Sequence, residues 1–274
     1  MYRANDMSIS EFLGIDGYQR AAEGYMSWQH LLFVSSLMVI MIVCAIILGR
    51  RCKNKSDKER NRVLIVSAFL INGFELFKIV TICVRNNNPM EWLYVLPLFL
   101  CSIQLIAIPI AAFSKGKLKA AALDFVMIFG ILGAVMGTYF AGQNYACYPV
   151  ISMDNVISGI THSISGFASL FIMLSGMASM KKKSIPATFG ILGSFCVVAY
   201  VANILLDYNY MFLMAGDGTP YDILYNLVGG SPVLYPLGVV VLFLIYIGTY
   251  YYIYYAITHR KKATKGEKES ATAA

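Results

Sequence analysis

A thiol, an imidazole and a carboxylate can together move an acyl group, and this chain holds all three inside long apolar runs. Cys101 stands in WLYVLPLFLCSIQLIAIPIAAF, residues 92–113, between Pro97 and Pro109. His162 stands in the THS triplet of a second run, residues 155–180. Glu75 stands in a third, residues 63–84, together with Asn72 and Lys78. A thiol is a nucleophile as its thiolate, and an adjacent imidazole can take its proton. A carboxylate or amide can orient that imidazole, and polar donors can stabilise the oxyanion that forms. Cys101 and His162 are therefore the candidate catalytic pair, with Glu75, Asn72, Asn203 and Ser102 as candidate orienting or oxyanion groups.

Each residue also has a plainer reading. A single cysteine in an apolar span is most often a small hydrophobe. Glu75 and Lys78 lie three apart on one helix face, where they neutralise each other. The asparagines can simply bridge helices. At this point Glu75 is open to either partner, His162 or Lys78. Ionisable residues within a membrane are, however, costly and usually functional.

The elements that must position these groups follow from composition. The chain has 274 residues, 58% hydrophobic and 14% charged, against roughly 25% charged in soluble domains. A bilayer core needs ~20 apolar residues per helical crossing. Runs of that kind fall at about 30–49, 63–84, 92–113, 120–140, 155–180, 186–206 and 232–257. The expectation is an all-α polytopic bundle of seven transmembrane helices. An extracytoplasmic lead-in, 1–27, precedes the membrane domain, 28–258, and a basic, disordered cytoplasmic tail, 259–274, follows it.

Basic residues set the orientation. The loops after odd-numbered spans carry seven, three, three and five Lys/Arg, whereas the opposite side holds Arg3, Arg20 and Arg85. The amino terminus is thus expected outside and the carboxyl terminus in the cytoplasm of a multi-pass cell-membrane protein (an endomembrane one in a eukaryote). The six cysteines show no CxxC pair and no metal-ligand spacing, so no metal and no cofactor are expected. Cys83 and Cys147 are the one disulfide pairing considered. Short basic clusters between apolar spans speak for membrane lipids as partners and against nucleic acid.

Orientation converts position into depth. Cys101 lies nine residues below Trp92 and Glu75 nine from Val84, each about 13 Å at 1.5 Å per residue. His162 lies seven below Asn155, about 10 Å by the same rise. Asn203 falls near the outer end of the sixth span. Four polar groups from four helices share one outer-half layer; equal depth is all that this arithmetic establishes. Gly130, Gly133 and Gly137 in the fourth span read as close helix packing.

LPLFLCSI at 96–103, Tyr148-Pro149, THS at 161–163 and NILLDYNYMFL at 203–213 carry a resemblance. Over about 63–257 the chain resembles the YwaF family of bacterial integral membrane proteins. That family is similar to animal transmembrane protein 164, an acyltransferase that remodels ether phospholipids. The resemblance implies a cysteine acyltransferase or lipid hydrolase acting on phospholipid acyl chains, with Cys101 as the acyl-accepting thiol and His162 as its histidine. It brings in Asn209 and Tyr210 as a motif without an assigned role. Phe99 departs from it, standing where many members carry histidine.

Two other classes compete: a seven-helix receptor or sensor for a small ligand, and a small transporter. The last span has no lysine, so a retinal Schiff base is unavailable to a receptor of this kind. Transporters often show broken helices in matched halves, whereas only the run at 92–113 has two internal prolines.

Overall fold

A computed structural model describes residues 8–178 and 180–272, with side chains described as far as residue 257. The described residues are all-α, without a strand. The first compact unit, Met1–Met211, contains α1 (Ile9–Leu13), α2 (Trp28–Cys52), α3 (Asp57–Arg85), α4 (Gln104–Phe113), α5 (Gly116–Met136), α6 (Gly142–Cys147), α7 (Met153–Ser175) and α8 (Ile185–Leu206). The second, Phe212–Ala274, contains α9 (Tyr221–Leu227) and α10 (Leu234–Thr272). Within it, Gly238 lies against Leu224, and Tyr225 meets Tyr235 edge-on. The expected disordered tail falls among the side chains outside the described set.

Among the described residues, six helices are long and apolar enough to cross a membrane: α2, α3, α5, α7, the stretch Lys182–Leu206 that includes α8, and Leu234–Ile257 of α10. The chain is therefore a multi-pass membrane protein. Local signals start these helices where hydropathy alone would not. Ser56 and Glu59 form a reciprocal capping box, so α3 begins six residues before its apolar run, inside the basic loop. Ser27 and Ser152 cap α2 and α7 by accepting from the His30 and Asn155 N–H groups, and Gly176, at φ 73°, closes α7.

The expected helix over 92–113 is not formed. Its place is taken by a 3-10 turn, Pro89–Tyr94, a run of turns and the ten-residue α4. Proline disfavours helical backbone in the residue before it, and Pro97 falls where a continuous helix would have to pass. Pro109, inside α4, has no N–H for the carbonyl four residues earlier. That carbonyl belongs to Leu105, and it accepts instead from Asn72 Nδ2 of α3 at 3.0 Å. The 3-10 turn is held similarly: the Tyr210 hydroxyl donates to the Leu93 carbonyl at 2.5 Å and accepts from the Leu96 N–H at 3.2 Å. Asn203 fixes Tyr210, accepting from its N–H at 2.6 Å and donating to its carbonyl at 3.0 Å. At the other end of α4, Asn61 and Lys119 donate to the Ala112 and Ala111 carbonyls.

The core of this unit lies where α5 and α7 meet. A Cβ on Gly130 would stand 2.7 Å from the Ser165 carbonyl, and one on Gly166 would meet Met41 and Ala134. Small residues bring the backbones close enough for Ser165 to donate to the Gly130 carbonyl and Ser169 to that of Met127, at 3.3 and 2.6 Å. The lead-in is docked as well. Tyr18 donates to Asp154, which Arg85 also grips through two bonds of 2.6 and 3.0 Å. Burial and the Asp154 carboxylate push the Tyr18 phenol far above its usual range, so it stays a donor. Cys83 and Cys147 are both free thiols.

Replacing Asn72 with leucine leaves the Leu105 carbonyl unsatisfied, at a cost of about 1–3 kcal/mol. Pro109→Ala supplies the missing N–H, so the double variant should recover most of that loss. Thermal unfolding of the four proteins in detergent measures the coupling, and additive losses would refute this account of Asn72.

Candidate functional site

Three elements converge on a small polar cavity. The α3 face contributes Ile71, Glu75 and Lys78, at positions i, i+4 and i+7. The turns before α4 contribute Cys101 and Ser102, with Leu105 one turn on, and α7 contributes Thr161 and His162. The cavity is narrow, about 30 Å³, the room of a water or two. An ester enters it only as the lining side chains part, and a whole lipid has no room.

The two residues from separate runs share this cavity: the Cys101 thiol and the His162 imidazole both line it and act on one another. Ser102 Oγ lies 4.0 Å from the sulfur. The other side of the imidazole is committed, since His162 Nδ1 lies 2.7 Å from the Ser158 carbonyl oxygen, one turn earlier on α7. A carbonyl only accepts, so Nδ1 carries the proton, and in the neutral ring Nε2 is the acceptor. A backbone oxygen thus sets the tautomer that an orienting side chain would otherwise set.

The remaining sequence candidates have other company. Glu75 pairs with Lys78 at 2.6 Å, which decides between the two partners left open by sequence. Asn72 is engaged by Leu105 and by its own helix at Ala68. Asn203 and Tyr210 support the backbone around 93–96. Asn209 takes part in interactions of its own. Phe99 packs its ring against Tyr208 and Tyr210.

Two contributors were not foreseen. The Ser158 carbonyl carries no sequence signature at all. Gly137 did leave a trace, as the last of three spaced glycines, and it caps the end of α5. It is needed because a Cβ there would stand 1.9 Å from His162 Nε2 and Cδ2. Gly133 similarly lies against Cys101, its virtual Cβ 3.4 Å from the Cys101 Cα and Cβ. The Gly137 φ of −80° suits any residue, so Gly137→Ala is a steric test of the imidazole's position alone. It should leave folding largely intact while displacing His162 and lowering His162-dependent reactivity of Cys101 at least tenfold. Unchanged alkylation rates would contradict this geometry.

The comparisons with known proteins bear on the whole chain. No curated protein and no solved structure matches it. A family model described as the TMEM164 family does match, over residues 25–261, and that stretch includes every element that builds the cavity. The chain is a multi-pass helical membrane protein that belongs to the TMEM164 family.

Proposed function

We propose that this protein is a membrane-embedded cysteine acyltransferase or lipid hydrolase acting on phospholipid acyl chains. The observation that carries the reading is the pairing of the Cys101 thiol with an imidazole whose Nδ1 proton is held by a backbone carbonyl. In the first step His162 Nε2 takes the thiol proton and the sulfur attacks the ester carbonyl carbon. The C–O bond to the glycerol oxygen breaks, and that oxygen leaves with the proton from the imidazolium. The product is a thioester on Cys101. In the second step a lysolipid hydroxyl or water attacks the thioester, Nε2 takes the attacking oxygen's proton, and the sulfur is reprotonated as it leaves. Ser102, with its Oγ 4.0 Å from the sulfur, supplies a side-chain donor for the oxyanion. The cavity's small size favours a lipid whose acyl chains stay in the bilayer while its polar glycerol end enters.

The same reading includes seven crossings of the cell membrane with the amino terminus outside. The interrupted stretch 92–113 serves as the third crossing, its irregular backbone satisfied from α3 and Tyr210 rather than by lipid. Eighteen of the 22 Lys/Arg residues fall on the cytoplasmic side of that arrangement.

A lipid-like electrophilic probe should label Cys101, and Cys101→Ala should abolish labelling; persistence in the alanine variant counts against the enzyme. His162→Ala should lower turnover by ~10²–10⁴-fold if it is the general base. For topology, a membrane-impermeant maleimide applied to intact cells should reach the exposed Cys147 and leave Cys52 unlabelled until the cells are opened. The reverse pattern would invert the orientation.

A further inference from the structure

The acyl-transfer steps leave two groups of the cavity unused, Glu75 and Lys78. Ionised groups at membrane depth are costly, and replacing a buried ion pair with apolar residues is often neutral or stabilising. Mutual neutralisation therefore explains how each charge tolerates the other, not why either is present. Both side chains are largely shielded, 11% and 19% exposed, and both line the cavity of Cys101 and His162.

The cavity is polarised along α3. Its Ile71 end faces Leu105 and is anchored by the Asn72–Leu105 hydrogen bond. Lys78 lies seven residues further along, about 10 Å away at 1.5 Å per residue. An ammonium has three donors, and Glu75 engages it through one carboxylate oxygen, so donor capacity remains on a group in the cavity wall. Lys78 acts on the imidazole by its charge, whereas His162 and Ser102 are the side-chain partners of the thiol. Lys78 is thus placed beside the reacting centre rather than on the sulfur.

We propose that Lys78 is the anion-binding group of this cavity, receiving the phosphate of a glycerophospholipid and thereby seating its acyl ester at Cys101. The inference rests on the acyl-transfer reading for its choice of lipid. A short glycerol linkage separates the phosphate from the nearer ester, which matches a cation and a thiol lining one small cavity. Glu75 holds the ammonium in place while the cavity is empty, and shares it with the phosphate when the lipid binds. Lys78 and Glu75 are positioning residues in this scheme.

The test uses the full-length protein in nanodiscs and two lipids without an ester: a dialkyl ether glycerophospholipid and the matching phosphate-free dialkylglycerol. Native mass spectrometry reads their binding. The wild type should prefer the phospholipid by roughly 10–100-fold, the scale of one charge-assisted hydrogen-bonded contact. Lys78→Met should abolish that preference, and Lys78→Arg should retain most of it. Because Lys78→Met strands a carboxylate, the double variant Glu75→Gln/Lys78→Met removes both charges and should fold while also losing the preference. The proposal is overturned if the double variant keeps the preference. It is equally overturned if inorganic phosphate displaces the phospholipid at comparable concentration, or if both lipids weaken equally in the double variant. Neither lipid has an ester, so failure of Cys101 to form a thioester would refute the acyl-transfer reading without altering this result.

Discussion

The Leu105 carbonyl has no helical donor, because the residue four positions on is Pro109, and much of the site depends on how that vacancy is filled. In a hydrocarbon environment an unsatisfied backbone group costs several kcal/mol. Asn72 reaches across from α3 and closes the gap. In doing so it fixes α4 against α3 and sets the register of the preceding turns. The Tyr210 hydroxyl and the Asn203 amide perform the same service nearer Pro97. Side chains that look like candidates for chemistry are spent on holding an irregular backbone in place.

That irregular backbone is what opens the site. A regular helix over 92–113 would place Cys101 on one face and turn Ser102 about 100° away from it. In the turns before α4, both line the same cavity. The opposite wall comes from α7, which approaches closely because α5 offers a glycine at Gly130 and another at its cap, Gly137. A single missing Cβ at residue 137 makes room for the imidazole, and the Ser158 carbonyl then determines which nitrogen faces the sulfur. The site is an arrangement of backbone features as much as of side chains.

Electrostatics follow the same division. Where the end of α3 meets the start of α7, Arg85 and Asp154 form a bidentate pair that ties the lead-in to both helices through Tyr18. Within the cavity, Glu75 and Lys78 form a second pair. The first lies between packed elements and has a structural explanation. The second lines a cavity, where its charge is available to whatever enters, and the cost of burying it makes that availability its most economical explanation.

Much of this was legible in the residues. Six of the seven long apolar runs form helices long enough to cross a bilayer, since a helix satisfies its own backbone and an apolar surface needs no water. The prolines flanking Cys101 announced freed carbonyls, and depth counting put Cys101, His162, Glu75 and Asn203 in one layer. Depth is a one-dimensional coordinate, however, and it treated all four alike. Only the tertiary structure decided their lateral company: Cys101 with His162, Glu75 with Lys78, and Asn203 with Tyr210. The reason is physical. Hydropathy and rise per residue report position along the membrane normal, while azimuth depends on how helices rotate and pack. That packing is set here by glycines and backbone carbonyls whose partners lie far away in the chain.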